Sequence, residues 1–532
     1  MNYTHGTTAL AWVILFGWPI VVFLLFRKLP RVEALIWSVV AGYLLLPFGV
    51  EVKIKMIPTF DKDLIPILAA GLMLLVVPAE GLRRLRAAPA PVPHAEGQAP
   101  TRSRYARTRS TPDAAEGAVL VPRRIWLIDA LLLLLLVTPF FTTLGNPDPV
   151  VVGDHVSMIN GLTLYDSFSL ISGKFVELLP FIIARRYLAR PETHKVLLRI
   201  LAVLALFYTI PVLYEVRMSP QLARMVYGFL SQSFAQAMRD GGFRPVVFLQ
   251  HGLWLAIFLA TAALAALALW REEREHGRRT RWGFAGLYLA AVLALCHSSG
   301  ALVEFLLLLP VLLFLPIRGQ LIIASVVVLI IMGYPALRGA NLIPTEQVVS
   351  FVKANLNAER AQSLQFRLRN EDVLLNRADE KPLVGWGGWG RSFLYDSYGK
   401  RTTVTDGMWI IVIGGLGWLG YIGTFGLLGV PILLLALRQR RMDISFATAG
   451  LVLVLTANLM DMIPNATLTP VTWLIAGALA GRCGLQVAAR ESPEAEGRRR
   501  GSAGQPRPVP ATVGRARAPL TPRPRVVGGG RG

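Results

Sequence analysis

Apolar runs of ~18 residues or more recur along most of this chain, and no other feature limits its fold so strongly. A run of that length is what an α-helix needs to cross the ~30 Å hydrocarbon layer of a bilayer. In lipid the backbone must satisfy its own N–H and C=O groups, so such runs read as helices. With 54% hydrophobic residues, only 17% charged and a mean hydropathy of +0.50 over 532 residues, an ordinary soluble domain is excluded. The expected fold class is an all-α integral membrane protein, a polytopic transmembrane helix bundle.

About thirteen spans are expected, near 9–26, 33–50, 64–79, 125–143, 166–184, 196–214, 246–270, 283–296, 300–317, 320–335, 407–437, 445–462 and 468–484. The first is long for the apolar core of a signal peptide, so it reads as a retained helix. Lys and Arg near helix ends stay on the cytoplasmic side, and they cluster at 27–32, 80–124, 185–195, 271–282 and 438–441, which alternate consistently. The N-terminus is therefore expected outside and the C-terminus inside. The opposite loops agree, because 144–165 carries no Lys or Arg.

The remaining composition excludes more than it assigns. Segment 87–121, rich in Ala, Pro, Ser, Thr and Arg, and segment 490–532, rich in Arg, Pro and Gly, are expected to be disordered, within a basic loop over 80–124 and a basic tail over 485–532. The net charge of +22 comes largely from them and reads as positive-inside topology with attraction to anionic lipid. No nucleic-acid motif accompanies it. Cys296 and Cys483 fall at opposite faces of this topology, which argues against a disulfide or a cysteine metal site.

The loop 336–406 departs from the pattern, with ten Lys or Arg against eight acids on the face where basic residues are disfavoured. From Glu359 to Asn376 a helix is expected, which puts Arg360, Leu364, Arg367 and Glu371 on one stripe. Guanidinium groups on such a stripe suit bidentate binding of a pyrophosphate. A solvated helix with an Arg367–Glu371 pair fits the same spacing. Next come Gly385, Gly387, Gly388 and Gly390, interleaved with Trp386 and Trp389. These indoles suit either anchoring at the membrane interface or stacking on sugar rings. Inside the spans, Lys174 and Glu177 suit mutual pairing or contact with a lipid phosphate, and Glu304 and Asp461 are further ionisable groups. His251 suits either a buried hydrogen bond or an acceptor site.

A resemblance rests on the order of several short motifs. Arg367 is followed after fourteen residues by Pro382-Leu-Val-Gly-Trp-Gly, then by Asp406-Gly-Met-Trp and Gly417-Trp-Leu-Gly420. Upstream stand Arg244-Pro-Val-Val-Phe-Leu-Gln-His251-Gly and the hinge His297-Ser-Ser-Gly-Ala301. Over roughly 160–480 this resembles the bacterial O-antigen ligase and O-antigen (exopolysaccharide) polymerase superfamily. The ligase branch has His where this chain has Asp406 and Arg where it has Ser298 or Ser299. The resemblance therefore points to the polymerase branch, with ligation to lipid A core as the alternative.

The resemblance implies a helix bundle with one large periplasmic loop, similar to glycosyltransferases of the GT-C type, in the bacterial inner membrane. The donor would be an oligosaccharide on undecaprenyl pyrophosphate, with membrane lipids and other polysaccharide-assembly proteins as partners and no cofactor. Breaking the anomeric C–O bond leaves a pyrophosphate, whose charge Arg367, helped by Arg360, Arg369 and Arg244, would offset without a metal. Asp406, and after it Glu371, would accept the proton of the attacking hydroxyl. Substrate contacts would fall to Arg360, Arg369, Arg244, His251, Lys174, Trp386 and Trp389. A flippase for lipid-linked glycans, from another class, would use the same basic cavity. Transporters usually place ionisable groups across the midplane and show internal repeats, whereas here no repeat is detected and the charge is concentrated on one face.

Overall fold

The computed structural model describes residues 7–54, 58–77, 120–122, 124–154, 156–232, 234–239, 241–355 and 358–487. Helices dominate. In chain order they are α1 (Ala9–Lys28), α2 (Arg31–Leu45), α3 (Leu64–Val76), α4 (Trp126–Leu144), α5 (Leu164–Tyr187), α6 (Pro191–Met218), α7 (Leu222–Tyr227) and α8 (Phe234–Ala237). There follow α9 (Gly252–Glu272), α10 (His276–Leu295), α11 (Ser299–Phe314), α12 (Ile317–Gly339), α13 (Thr345–Asn355), α14 (Ala358–Asp379), α15 (Met408–Arg438), α16 (Phe446–Asp461) and α17 (Pro470–Cys483).

Each expected apolar run coincides with one helix, namely α1–α6, α9–α12 and α15–α17. Among the described residues seven helices are long and apolar enough to cross a membrane, which marks the chain as a membrane protein. The expected span at 246–270 starts late, at Gly252, for a local reason. Pro245 cannot donate a backbone hydrogen bond, and the Glu215 carboxylate accepts the N–H groups of Val246 and Val247 at 2.8 and 2.7 Å. His251 then caps the helix, its Nδ1 accepting the Leu253 N–H at 3.1 Å.

Contacts among loops and helix ends sort into two faces. On one, Asp154 N–H donates to Ser397 O at 2.9 Å, Lys381 Nζ to Gly145 O at 2.5 Å and Arg244 Nη2 to His297 O at 3.1 Å. On the other, Arg185 pairs with Asp129 at 2.6 Å, Lys195 with Glu273 at 3.2 Å and Arg199 with Glu33 at 3.0 Å. The second face carries the arginine-rich turns. Expected disorder at 87–119 and 490–532 lies outside the described residues. Against the expected disorder at 120–121 and in the tail from 485, the strand β1 (Leu120–Pro122) pairs antiparallel with Leu485–Val487, so both segments are paired structure there. This pairing satisfies backbone groups at the arginine-rich face.

Helix α9 forms the centre of the bundle, with 83% of its apolar window buried. Its alanines let α6, α10, α11 and α16 pack closely around it. The all-α expectation is supplemented by short hairpins on the first face, β2 (Val150–Val152) with β3 (Ser157–Ile159) and β4 (Met238–Arg239) with β5 (Gly242–Phe243).

Candidate functional site

Helix α15 is not continuous. At Gly417 the backbone turns to φ 64° and ψ −165°, and the freed carbonyls and N–H groups are taken up by the loop 382–387. Trp386 and Gly387 N–H groups donate to Gly414 and Gly415 carbonyls, each at 2.8 Å. In return Trp418 and Leu419 N–H groups donate to the carbonyls of Pro382 and Leu383 at 2.8 and 3.2 Å. The two glycine-tryptophan motifs therefore form one structural unit. Asn146 fastens it, its Nδ2 donating to Gly385 O at 2.8 Å, while the Thr142 hydroxyl donates to Val384 O at 2.6 Å.

Arg391, which sequence reasoning passed over, is the main staple of this loop. It is 1% exposed and donates to the carbonyls of Trp386, Asn160 and Asp148 at 3.1, 2.6 and 2.8 Å. A guanidinium can serve three divergent carbonyls because its donors spread across a planar fork. Only a basic residue just after the glycine run could have hinted at it.

Helix α14 lies over the ends of α12, α15 and α16 at the first face. Arg338 holds it to α12, through Asp372 Oδ1 at 2.7 Å and Leu368 O at 3.2 Å. Glu371 faces inward, 6% exposed, and accepts long hydrogen bonds from Trp409 Nε1 at 3.4 Å and the Tyr334 hydroxyl at 3.5 Å. Burial pushes its carboxyl up to about 7. Asn370 Oδ1 accepts the Val404 N–H at 3.0 Å and so fixes the chain just before Asp406.

Arg367 and Asp406 meet at this edge. Arg367 Nε lies 3.5 Å from Asp406 Oδ2, and its Nη1 donates to Pro464 O at 3.4 Å. Both side chains keep about a third of their surface in solvent, 34% and 30%. Beneath them Asp461 accepts from Asn465 Nδ2 at 2.7 Å and from the Thr467 hydroxyl at 2.5 Å, within electrostatic reach of Arg367. Asp461, Asn465 and Thr467 were not assigned to this site from sequence, because only the α16–α17 turn brings them under Arg367.

The other candidates disperse over the same face. Arg369 is exposed, and Arg360 lies on α14 with its side chain outside what is described. Arg244 and His251 shape the entry to α9 and the hinge at His297. Lys174 pairs with Glu177 at 2.6 Å. Trp386 is buried, its Nε1 donating to Arg377 O at 2.7 Å and its ring covered by the Arg377 guanidinium at 3.4 Å. The neighbouring indole, Trp389, is 57% exposed and is the one open to a ligand.

The Arg367–Asp406 edge can bind an anion through a fixed positive charge and can accept a proton at a carboxylate 3.5 Å away. One hollow of about 240 Å³ lies elsewhere on this face, between the β2–β3 hairpin, Arg377 and Phe393–Ser397. Among the described residues no group of three or more His, Cys, Asp or Glu side chains is arranged to hold a metal ion. Comparison with models of known protein families gives no match, and comparison with curated proteins gives none either.

Proposed function

We propose that the chain is a polysaccharide polymerase of the O-antigen ligase and polymerase superfamily, with thirteen crossings, a periplasmic first face and a GT-C-like arrangement. It would elongate oligosaccharide repeats carried on undecaprenyl pyrophosphate. The observation that carries this reading is the Arg367–Asp406 pair, an accessible guanidinium and carboxylate at the outer helix ends.

A partly exposed pair of this kind contributes roughly 0–1 kcal/mol, so it opens readily to a more strongly charged guest. An arriving pyrophosphate draws the Arg367 guanidinium to itself and leaves Asp406 uncommitted. The acceptor hydroxyl oxygen attacks the anomeric carbon, the carbon–oxygen bond to phosphate breaks, and its electron pair leaves with the pyrophosphate. The hydroxyl proton passes to Asp406. Arg367 offsets the charge that develops on the leaving group. Asp461 sits behind Arg367 and orients it. Glu371, enclosed by Trp409 and Tyr334, acts as a positioning residue for α14.

The decisive experiment is elongation of a defined undecaprenyl-pyrophosphate-linked repeat by the purified full chain in nanodiscs. Longer lipid-linked glycans support the reading, and transfer only to lipid A core would assign the ligase branch. Translocation of the donor without any new glycosidic bond would assign a flippase.

A further inference from the structure

Helix α13 has no buried residue, and apart from the terminal Thr345 and Asn355 its apolar and polar side chains fall on different sides. At 100° per residue, Val348, Val349, Phe351 and Val352 share one side, whereas Glu346, Gln347, Ser350 and Lys353 share the other. Its apolar side is only partly covered by α14, for Phe351 is 66% and Val348 43% exposed. Leu342, in the turn before it, is 69% exposed. In water this is a costly surface to leave bare.

The preceding helix carries an exposed apolar surface of the same kind. Ile322, Ile323, Val326, Leu329, Ile330 and Leu337 of α12 form an exposed apolar stripe along one side of a helix long enough to span a bilayer. This stripe runs to the outer end of α12. There Asn341 takes φ 55°, and the Leu342 N–H donates back to Leu337 O at 3.0 Å, so the chain turns sharply at that level. Beyond the turn Leu342, Val348 and Phe351 are the next exposed large apolar residues along the chain.

We propose that α13 lies in the outer leaflet as an interfacial helix, its Val348 and Phe351 face among the upper acyl chains. Its one acid and one base cancel, so its partner is recognised by apolar contact and not by lipid charge. Because α13 packs on α14, and Arg338 ties α14 to the end of α12, this seat fixes the height of Arg367 at the level of lipid phosphates.

The test reads location and not reaction, so it stands apart from the polymerase reading. The full chain is labelled with an environment-sensitive fluorophore at Phe351→Cys, and separately at Lys353→Cys on the polar side. Cys296 and Cys483 are buried and stay unlabelled. In nanodiscs of phosphatidylethanolamine and phosphatidylglycerol, a nitroxide on acyl carbon 5 should quench the probe at 351 at least twofold more than the probe at 353. Aqueous iodide should show the opposite order. Equal iodide quenching at both positions overturns the proposal. So does a 351 probe shielded from both quenchers, which would mean that a protein partner or second copy covers this face.

Discussion

Gly417 and Leu383 touch backbone to backbone, and a Cβ added at Gly417 would lie 2.4 Å from the Leu383 carbonyl oxygen. The break in α15 and the loop that fills it are therefore one device. Gly417→Ala meets both a left-handed backbone and this contact, at a cost on the order of 1–3 kcal/mol from the backbone alone. The variant should insert into membranes, expose the 382–390 loop to limited proteolysis and lose elongation. Wild-type proteolysis and glycan length would show that the docking is dispensable.

Arg367→Lys should lose nearly as much elongation as Arg367→Ala. An ammonium keeps the charge but lacks the planar fork that meets two phosphate oxygens. The measurement is glycan length on gels, with excess EDTA present throughout. Normal polymer in Arg367→Ala, or activity lost to chelator and restored by magnesium, would sink the proposed role.

Asp406→Asn keeps shape and removes basicity. Elongation should fall by about 10²-fold or more, while the lipid-linked donor still binds and single repeats accumulate. If this variant elongates at the normal rate, the carboxylate merely pairs with Arg367.

Glu371 makes a pH-dependent contribution to stability. Its carboxyl is raised from 4.5 to about 7, so the folded chain holds this proton more tightly than the unfolded one. The stabilisation is fully present below about 4.5 and is lost as pH rises through about 7. Thermal unfolding followed between these limits should show a decline in the native chain and a flatter profile in Glu371→Gln. Parallel profiles would mean that this group titrates normally.

Arg391→Met should destabilise the loop layer by about 3 kcal/mol, since the buried carbonyl of Trp386 and the partly buried carbonyls of Asn160 and Asp148 lose a charged donor. Melting temperature in detergent is the readout. Arg391→Lys should recover only part of the loss. A melting temperature unchanged in Arg391→Met would show that water replaces the guanidinium without cost.

Helix existence and order followed from the sequence because length and apolarity act locally. A run such as Ala9–Phe26 has few alternatives to a helix whatever surrounds it. The amphipathic stripe that carries Arg367 and Glu371 was readable for the same reason, through helical periodicity. What periodicity could not convey was depth. Only the packing of α14 on α12 and α15 put Glu371 inside, against Trp409 and Tyr334, and left Arg367 outside, 3.5 Å from Asp406. Likewise the sequence showed glycines at 385 and 417, but their pairing depends on backbone groups thirty-two residues apart. Such long-range partners are chosen by tertiary packing, which decides which exposed hydrogen-bonding groups meet. The seating of Asp461 beneath Arg367 and the three carbonyls on Arg391 belong to the same class. No local pattern encodes them.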